Sequence, residues 1–286
     1  MFNAIIFGFG LVLAMAGFYF IRDALTTESC LRANYRDKKI SSLGGIYYLL
    51  PFLIIILIVQ IKVNINNDGP IDFQATSILV IGFAFLGLLD DLVGDKSSQG
   101  FKGHIKALMK GKMTTGAINL FGGPSICLIA LLPFAERTGY EVVILGSIAI
   151  SLTANLVNLL DLAPGRALKM SSLAMLGGII ISTHYSWQYG MLGILVVLLV
   201  IDLKELMMLG DVGSNAIGAV VGLSLINNMS LAGIYMYAIF VFCLNLLSEF
   251  VSFSKIINSF PPLRFLDTLG QTKERKEWLK NKLSKA

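Results

Sequence analysis

The chain has 286 residues, of which 55% are hydrophobic and only 14% are charged, and its formal net charge is +5. A soluble globular domain is about 45–50% apolar and about 25% charged, so the composition excludes that class and indicates a chain surrounded mostly by lipid. In hydrocarbon only helices or a closed barrel satisfy every backbone N–H and C=O group. The long apolar runs lack the in/out alternation of barrel strands, which favours helices.

The hydrophobic runs predict an all-α, polytopic membrane bundle of about nine spanning helices. These spans lie at residues 2–21, 45–62, 74–92, 114–134, 142–160, 170–185, 190–203, 213–229 and 231–251. Basic residues follow the first span rather than precede it, which predicts that the N-terminus is outside and the C-terminus cytoplasmic.

This topology places the inside loops at 22–44, 93–113, 161–169, 204–212 and 252–286. All of the 23 Lys and Arg residues except Lys62 and Arg137 fall in these loops, as the positive-inside rule requires. The rule accounts for the net charge, so no nucleic-acid partner is expected. The chain divides into a transmembrane domain at 1–255 and a basic cytoplasmic tail at 256–286. That tail is expected either as a short amphipathic helix on the inner leaflet or as a solvated segment.

Two adjacent acids, Asp90 and Asp91, end the third span. The last turn of a helix carries partial negative charge, so carboxylates there are electrostatically misplaced. A divalent cation or a basic partner would relieve the repulsion. A polar cap at the membrane boundary is the alternative.

Three polar residues at a spacing of three, Asn155, Asn158 and Asp161, form a stripe along the end of the fifth span. Within a span such a stripe faces protein or a hydrated cavity, and interhelical hydrogen bonding is the alternative to a site. Asp161 repeats the misplaced charge of the third span. The two helices together therefore favour a shared cation more than either helix does alone.

Asp211 and Ser214 begin a later helix, where both are ordinary capping residues. Metal ligation explains Asp211 about equally well, and its expected position on the same membrane face as the other acids favours ligation. The N–H groups at this helix start are also candidates to hold a phosphate.

A turn at Pro164-Gly165 precedes two cations, Arg166 and Lys169, at the start of the sixth span. A helix N-terminus prefers anions, so a bound diphosphate would reconcile the two cations with their position. The positive-inside rule is an equally good explanation.

Four segments in this order resemble the polyprenyl-phosphate N-acetylhexosamine-1-phosphate transferases, the superfamily that includes the phospho-MurNAc-pentapeptide translocase and GlcNAc-1-phosphate transferases. The matching segments are Arg36 with Ser41-Ser42-Leu43-Gly44-Gly45, the pair Asp90-Asp91, Asn155/Asn158/Asp161 with Gly165, and Gly210-Asp211-Val212-Gly213-Ser214. They extend over about residues 34–222, most of the membrane domain.

The resemblance implies transfer of a sugar-1-phosphate from a UDP-sugar to polyprenyl (undecaprenyl) phosphate, with release of UMP, at the cytoplasmic face of the plasma membrane. It implies Mg²⁺, with Mn²⁺ as an alternative ion, held by Asp211 and Asp161. Asp90, Asp91 and Asp161 would act in catalysis, orienting the lipid phosphate or accepting its proton. The residues implied in substrate binding are Asn155, Asn158, Gly165, Arg166, Lys169, Lys106 and Ser214. The expected partners are the lipid phosphate, the UDP-sugar and the bilayer, and a homodimer is allowed.

The chain departs from the family pattern in regions that recognise sugar and nucleotide in relatives. The usual Gly-x-Asp-Gly is replaced by residues 162–165, Leu-Ala-Pro-Gly, so a second acid is missing. A His-rich loop motif is also missing: the chain has only His104 and His184, and Pro261-Pro262-Leu263-Arg264-Phe265 stands in the late loop. Met208 replaces an aromatic residue before the Gly-Asp motif. The sugar donor is therefore left open.

Two other functions are compatible with these features. A transporter or flippase for an anionic lipid or nucleotide-linked substrate also uses internal acids and a basic entrance, but its charges would be spread through the membrane depth. A catalytically lapsed relative acting as a scaffold would explain the missing acid and histidines. It would not explain why four acids stay together at one interface.

Overall fold

The structure is a computed structural model that describes residues 1–66, 73–94, 100–181, 185–227 and 229–284. In these ranges a short antiparallel hairpin, β1 (Leu31–Ala33) and β2 (Lys39–Ser41), accompanies a series of helices. The helices are α1 (Phe2–Ile21), α2 (Ile46–Asn66), α3 (Phe73–Val93), α4 (Gly100–Met109), α5 (Thr115–Leu131), α6 (Ala135–Thr138), α7 (Tyr140–Leu160), α8 (Arg166–Ile181), α9 (Ser186–Leu203), α10 (Gly210–Ile226), α11 (Leu231–Ser248), α12 (Phe253–Ser259), α13 (Pro261–Thr268) and α14 (Lys273–Leu283).

Each predicted span overlaps a helix in the described residues, and the all-α class is confirmed; parts of the predicted spans 170–185 and 213–229 lie outside the described residues. Within the described residues, seven segments are long and apolar enough to cross a membrane: α1, α2, α3, α5 with α6, α7, α9 and α11. The helices α8 and α10 have 16 and 17 residues. At 1.5 Å per residue they are about 24–26 Å long, shorter than a hydrocarbon core of about 30 Å. The count of nine spans and the orientation of the termini therefore stay predictions.

Helix α10 is the centre of the bundle, and most of its side chains are buried against α3, α7 and α8. Small residues allow this packing, since a Cβ atom at Gly218 would lie 2.6 Å from Cα of Ala154 in α7. Helices α1 and α9 approach each other equally closely, because a Cβ atom at Gly10 would lie 2.2 Å from the carbonyl oxygen of Gly190. Large apolar side chains on the outer faces of α1, α5 and α11 are exposed, as expected for surfaces that face lipid.

The segment after β2 runs beside the approach to α10. The Ser41 carbonyl oxygen accepts from the Met208 N–H at 2.7 Å, and the N–H groups of Gly44 and Gly45 donate to the carbonyl oxygens of Met208 and Leu209 at 3.0 and 2.9 Å. The two chains are so close that a Cβ atom at Gly45 would lie 2.2 Å from the nitrogen of Gly213. The Ser-Ser-Leu-Gly-Gly segment thus fixes where α10 begins.

The C-terminal segment, defined here as residues 252–284, folds back onto the loops at the end of the bundle where α10 begins. Gln271 donates to the Pro164 carbonyl oxygen at 2.9 Å, and Thr272 donates to Glu205 at 3.4 Å. The Arg275 guanidinium lies 4.0 Å from the ring centroid of Tyr35. The sequence did not indicate these contacts, and the division at residues 255 and 256 stays a prediction.

Candidate functional site

Acids from three separate stretches of the chain meet at the first turn of α10. Asp91, in the last turn of α3, accepts from the backbone N–H groups of Asp211 and Val212, the second at 3.2 Å. Asp161, directly after α7, accepts from the N–H of Gly210. The structure therefore brings Asp91, Asp161 and Asp211 to the same end of the bundle.

The Asp211 carboxyl group has different neighbours from the other two acids. It contacts the carboxyl group of Asp90 and the side-chain amide of Asn158. Asp90 also accepts from the side-chain amide of Asn119 in α5 at 3.2 Å. Two carboxyl groups are thus in direct contact beside an amide.

Glycines permit this close convergence of backbone and side chains. A Cβ atom at Gly87 in α3 would lie 2.1 Å from the carbonyl oxygen of Asp211. Gly210 has a φ of 70°, in the left-handed region that favours glycine. A Cβ atom there would lie 1.9 Å from the carbonyl oxygen of Ser42 and 3.0 Å from Asp91 Oδ2. The motif glycines therefore serve the assembly of the acids.

The charges of the acids are poorly compensated at this point. Burial raises the pKa of Asp161 well above its usual range, and repulsion by Asp202 and Asp211 adds to that effect, while the Gly210 N–H opposes it. Among the described residues, Arg32 donates to the backbone carbonyl oxygen of Asp91 at 3.4 Å. Clustered carboxylates of this kind favour a bound cation.

The first three N–H groups of α10, which are candidates to hold a phosphate, are engaged by carboxylates. Those of Gly210, Asp211 and Val212 all donate to the carboxylates of Asp161 and Asp91. Acids from neighbouring elements thus satisfy donors that the start of a helix leaves without an intrahelical partner. A phosphate at these groups would have to compete with the two carboxylates, and the expectation stays a prediction.

The polar stripe on α7 divides between two environments. Asn158 Oδ1 accepts from the Ser214 hydroxyl at 2.9 Å, so both predicted residues lie beside Asp211. Asn155 instead donates to Asn245 of α11 at 2.6 Å. For Asn155 the interhelical alternative therefore describes the contact.

The two predicted cations of the 161–169 loop are engaged by the C-terminal segment. Arg166 is buried and donates to both carboxylate oxygens of Asp267, at 2.7 and 3.0 Å, and to the Ser254 hydroxyl at 2.7 Å. Lys169 donates to the carbonyl oxygens of Leu266 and Asp267 at 3.0 and 2.7 Å. A diphosphate is not needed to explain either charge, and the structure does not bring them to the acids.

In the described part of the chain, no hydrogen bond joins Gly165 or Lys106 to Asp90, Asp91, Asp161 or Asp211. Gly165 has a φ of 75°, and a Cβ atom there would lie 2.5 Å from Leu203, so its conformation favours glycine; a part in substrate binding stays a prediction. Lys106 is exposed on α4, and no contact in the described part of the chain joins it to the acids. The side chain of His104 and the residue His184 lie outside what the structure describes.

Two buried acids near the site were missed by sequence reasoning. Asp202, in the last turn of α9, accepts from the Gly165 N–H at 2.6 Å. Glu205 accepts from the side chains of Tyr35 and Arg36, and burial together with this contact raises the pKa of Tyr35. Asp202 was detectable as an acid ending an apolar run, the same signal that singled out Asp90 and Asp91.

The acids suit a hard divalent cation by donor chemistry rather than by a preformed cage. Within the described residues no group of three or more His, Cys, Asp or Glu side chains is arranged to hold a metal ion. Mg²⁺ is usually held by one or two carboxylates, waters and substrate phosphates rather than by an all-protein cage. The contacting carboxyl groups of Asp90 and Asp211 provide donors of that kind.

Comparison with known proteins gives a weak but extended similarity. No protein-family model matches the chain. The chain is 25% identical over 254 residues to the phospho-N-acetylmuramoyl-pentapeptide-transferase of two strains of Borreliella burgdorferi, and each alignment covers 77% of this chain and 72% of the relative. Together with the seven apolar helices, this similarity supports a membrane protein with a distant relation to that superfamily and, at a coarse level, a transferase.

Proposed function

We propose that the protein transfers a sugar-1-phosphate, of the N-acetylhexosamine type, from a UDP-sugar to polyprenyl phosphate at the cytoplasmic membrane face. The observation that carries this proposal is the meeting of Asp90, Asp91, Asp161 and Asp211 at the first turn of α10. The distant similarity to a phospho-N-acetylmuramoyl-pentapeptide-transferase supports the reaction class. The position of these acids at one end of the helix bundle fits a reaction at the membrane surface better than a transport path through the membrane.

The proposed reaction exchanges one phosphorus–oxygen bond for another. An oxygen of the lipid phosphate forms a bond to the phosphorus that bears the sugar, and the bond from that phosphorus to the bridging oxygen breaks. The bridging oxygen leaves with the electron pair as part of UMP. A phosphate monoester has a second pKa of about 6, so the attacking group is mostly ionised at neutral pH, and Asp90 need only orient it or accept a residual proton.

The acids would divide the work according to their contacts. Asp211 would hold Mg²⁺, or Mn²⁺ in its place, with Asp90 and Asp161 as the neighbouring carboxylates. A bound ion of this kind neutralises charge on the diphosphate and the leaving group. Asp91 would keep the backbone of Asp211 in place through its hydrogen bonds to the start of α10. Asn158 and Ser214 would fix the side chain of Asp211 from the other side.

The test is UMP release by the purified protein with Mg²⁺, undecaprenyl phosphate and a panel of UDP-sugars. We expect turnover with at least one UDP-amino sugar, and a loss of about 10²–10³-fold in Asp211→Ala, as for removal of one electrostatic stabiliser of a transition state. Glu136→Ala is the matched control, because Glu136 is an exposed acid in α6, which follows the opposite end of α5 from Asn119 and the site. A folded protein that releases no UMP from any donor would favour the transporter or the scaffold.

A further inference from the structure

Helix α13 is amphipathic, with its polar side bound to the protein and its apolar side uncovered. Asp267 is buried against Arg166, and Arg264 and Thr268 lie on the same side of the helix. The opposite side and the two flanking positions carry large apolar side chains whose exposed fractions lie between 40% and 66%: Phe260, Leu263, Phe265, Leu266 and Leu269. An uncovered patch of this kind marks an interaction surface.

The neighbours of α13 place this apolar patch at the level where spans enter the membrane. Lys169, in the first turn of α8, donates to the carbonyl oxygens of Leu266 and Asp267. The next residue, Met170, and then Leu173 are exposed apolar side chains on the outer face of α8. The apolar patch of α13 thus adjoins an exposed apolar face of α8.

The chain that leads into α13 comes from the same boundary. Helix α11 ends at Ser248, and Phe250, which follows it, is exposed. A connection of twelve residues, 249–260, which includes the seven-residue helix α12, joins α11 to α13. The patch therefore follows a candidate spanning helix after a short connection and lies beside the exposed apolar face of α8.

The charge around α13 fits an anionic lipid surface. Residues 252–286 contain eight Lys and Arg residues and three acids, and basic clusters beside a spanning helix are attracted to anionic headgroups. Lys255 and Lys273, on either side of α13, are exposed. Apolar side chains between exposed cations are the pattern of a helix that lies in the membrane interface.

We propose that α13 lies in the bilayer interface on the side of the acid cluster, with its apolar face among the acyl chains and the flanking cations toward anionic headgroups. This lipid contact is additional to the spanning helices and does not depend on the reaction catalysed. It also has a structural consequence, because the same helix holds Arg166 through Asp267, five residues from Asp161.

The test is the depth of a nitroxide label on α13 in nanodiscs of phosphatidylcholine and phosphatidylglycerol. The label is attached to Phe265→Cys in a background of Cys30→Ser, Cys127→Ala and Cys243→Ser, and collisions with oxygen and with a water-soluble nickel chelate are measured. Matched labels at Phe240→Cys, on the exposed face of α11, and at Lys280→Cys, on the exposed face of α14, give the lipid and water references.

We expect high oxygen access and low nickel access at position 265, corresponding to about 5–10 Å below the headgroup boundary. Nickel access equal to that of the Lys280→Cys label would overturn the proposal, and so would low access to both reagents, which indicates cover by protein. If the cysteine-free background does not fold, Phe265→Trp in the native background gives the same answer. Brominated lipid must then quench the added fluorescence more strongly than in Lys280→Trp.

Discussion

Asp91 and Asp161 differ from Asp211 in what their carboxylates contact. The first two accept hydrogen bonds from backbone N–H groups at the start of α10, whereas Asp211 contacts another carboxyl group and an amide. A carboxylate that satisfies buried N–H groups has a structural role that an uncharged acceptor can share. A carboxylate beside another carboxyl group is not stabilised by that contact alone. Asp211 is therefore assigned to the cation.

Substitution at Asp91 separates these roles through stability. Asp91→Ala leaves the N–H of buried Val212 without its acceptor, which costs about 1–3 kcal/mol. Asp91→Asn retains an acceptor oxygen, so most of that loss should not occur. Thermal unfolding in detergent measures both variants. Equal destabilisation by Asn and Ala would show that the charge, and not the hydrogen bond, holds the start of α10.

Gly87 tests how tightly α3 must approach the acids. Gly87→Ala places a methyl group 2.1 Å from the carbonyl oxygen of Asp211, and overpacking of this kind costs about 1–3 kcal/mol. We expect a lower Tm and weaker activity together. Gly177→Ala in α8 is the matched control, because a Cβ atom there meets nothing within 4 Å. If both variants unfold at the wild-type temperature, the tight approach of α3 to α10 is not required.

At the scale of elements, the C-terminal segment joins three loops that lead to the site. It contacts the segment that leads into α8 through Pro164 and Arg166, the approach to α10 through Glu205, and the hairpin through Tyr35. The first of these segments follows Asp161, and the second leads to Asp211. Loosening this segment should therefore affect the acids without touching them.

The buried ion pair between Arg166 and Asp267 gives this idea a measurable consequence. Asp267→Ala leaves a buried guanidinium without its carboxylate, which costs about 3–5 kcal/mol. The double variant Arg166→Met/Asp267→Leu removes both charges and should recover much of the stability, since apolar replacement of a buried pair is often neutral.

Thermal unfolding of the single and double variants checks this, with Glu277→Ala on the exposed side of α14 as control. An Asp267→Ala protein as stable as the wild type would show that the segment is not held by this pair.

The same pair explains how α8 can begin before the predicted membrane span. The sixth span was predicted to begin at residue 170, with Arg166 and Lys169 at its N-terminal end. In the structure α8 begins at Arg166. Its charge is neutralised by Asp267, about one hundred residues later in the chain, and no local pattern reveals such a partner.

At the scale of the whole molecule, the bundle was predictable because hydrocarbon leaves an apolar run of this length little alternative to a helix. The alternation of spans, with the positive-inside bias, also predicted that the acids meet at one end of the bundle. The burial of Asp202 and Glu205 was not predictable in this way, because their partners Gly165 and Tyr35 come from distant loops. Sequence periodicity places a residue along a helix, but tertiary packing decides which N–H or hydroxyl it meets.

The central claim is that these acids act on a phosphate substrate together with a divalent cation, and metal-dependent UMP release tests it most directly. Wild-type protein, a productive UDP-sugar and undecaprenyl phosphate are assayed in EDTA and then with increasing Mg²⁺ or Mn²⁺, beside Asp211→Asn. The account predicts no turnover in EDTA, recovery with the ion in the wild type, and a loss of about 10²–10³-fold in Asp211→Asn at saturating Mg²⁺. Equal rates of UMP release in EDTA and in Mg²⁺, or wild-type rates from Asp211→Asn, would contradict it.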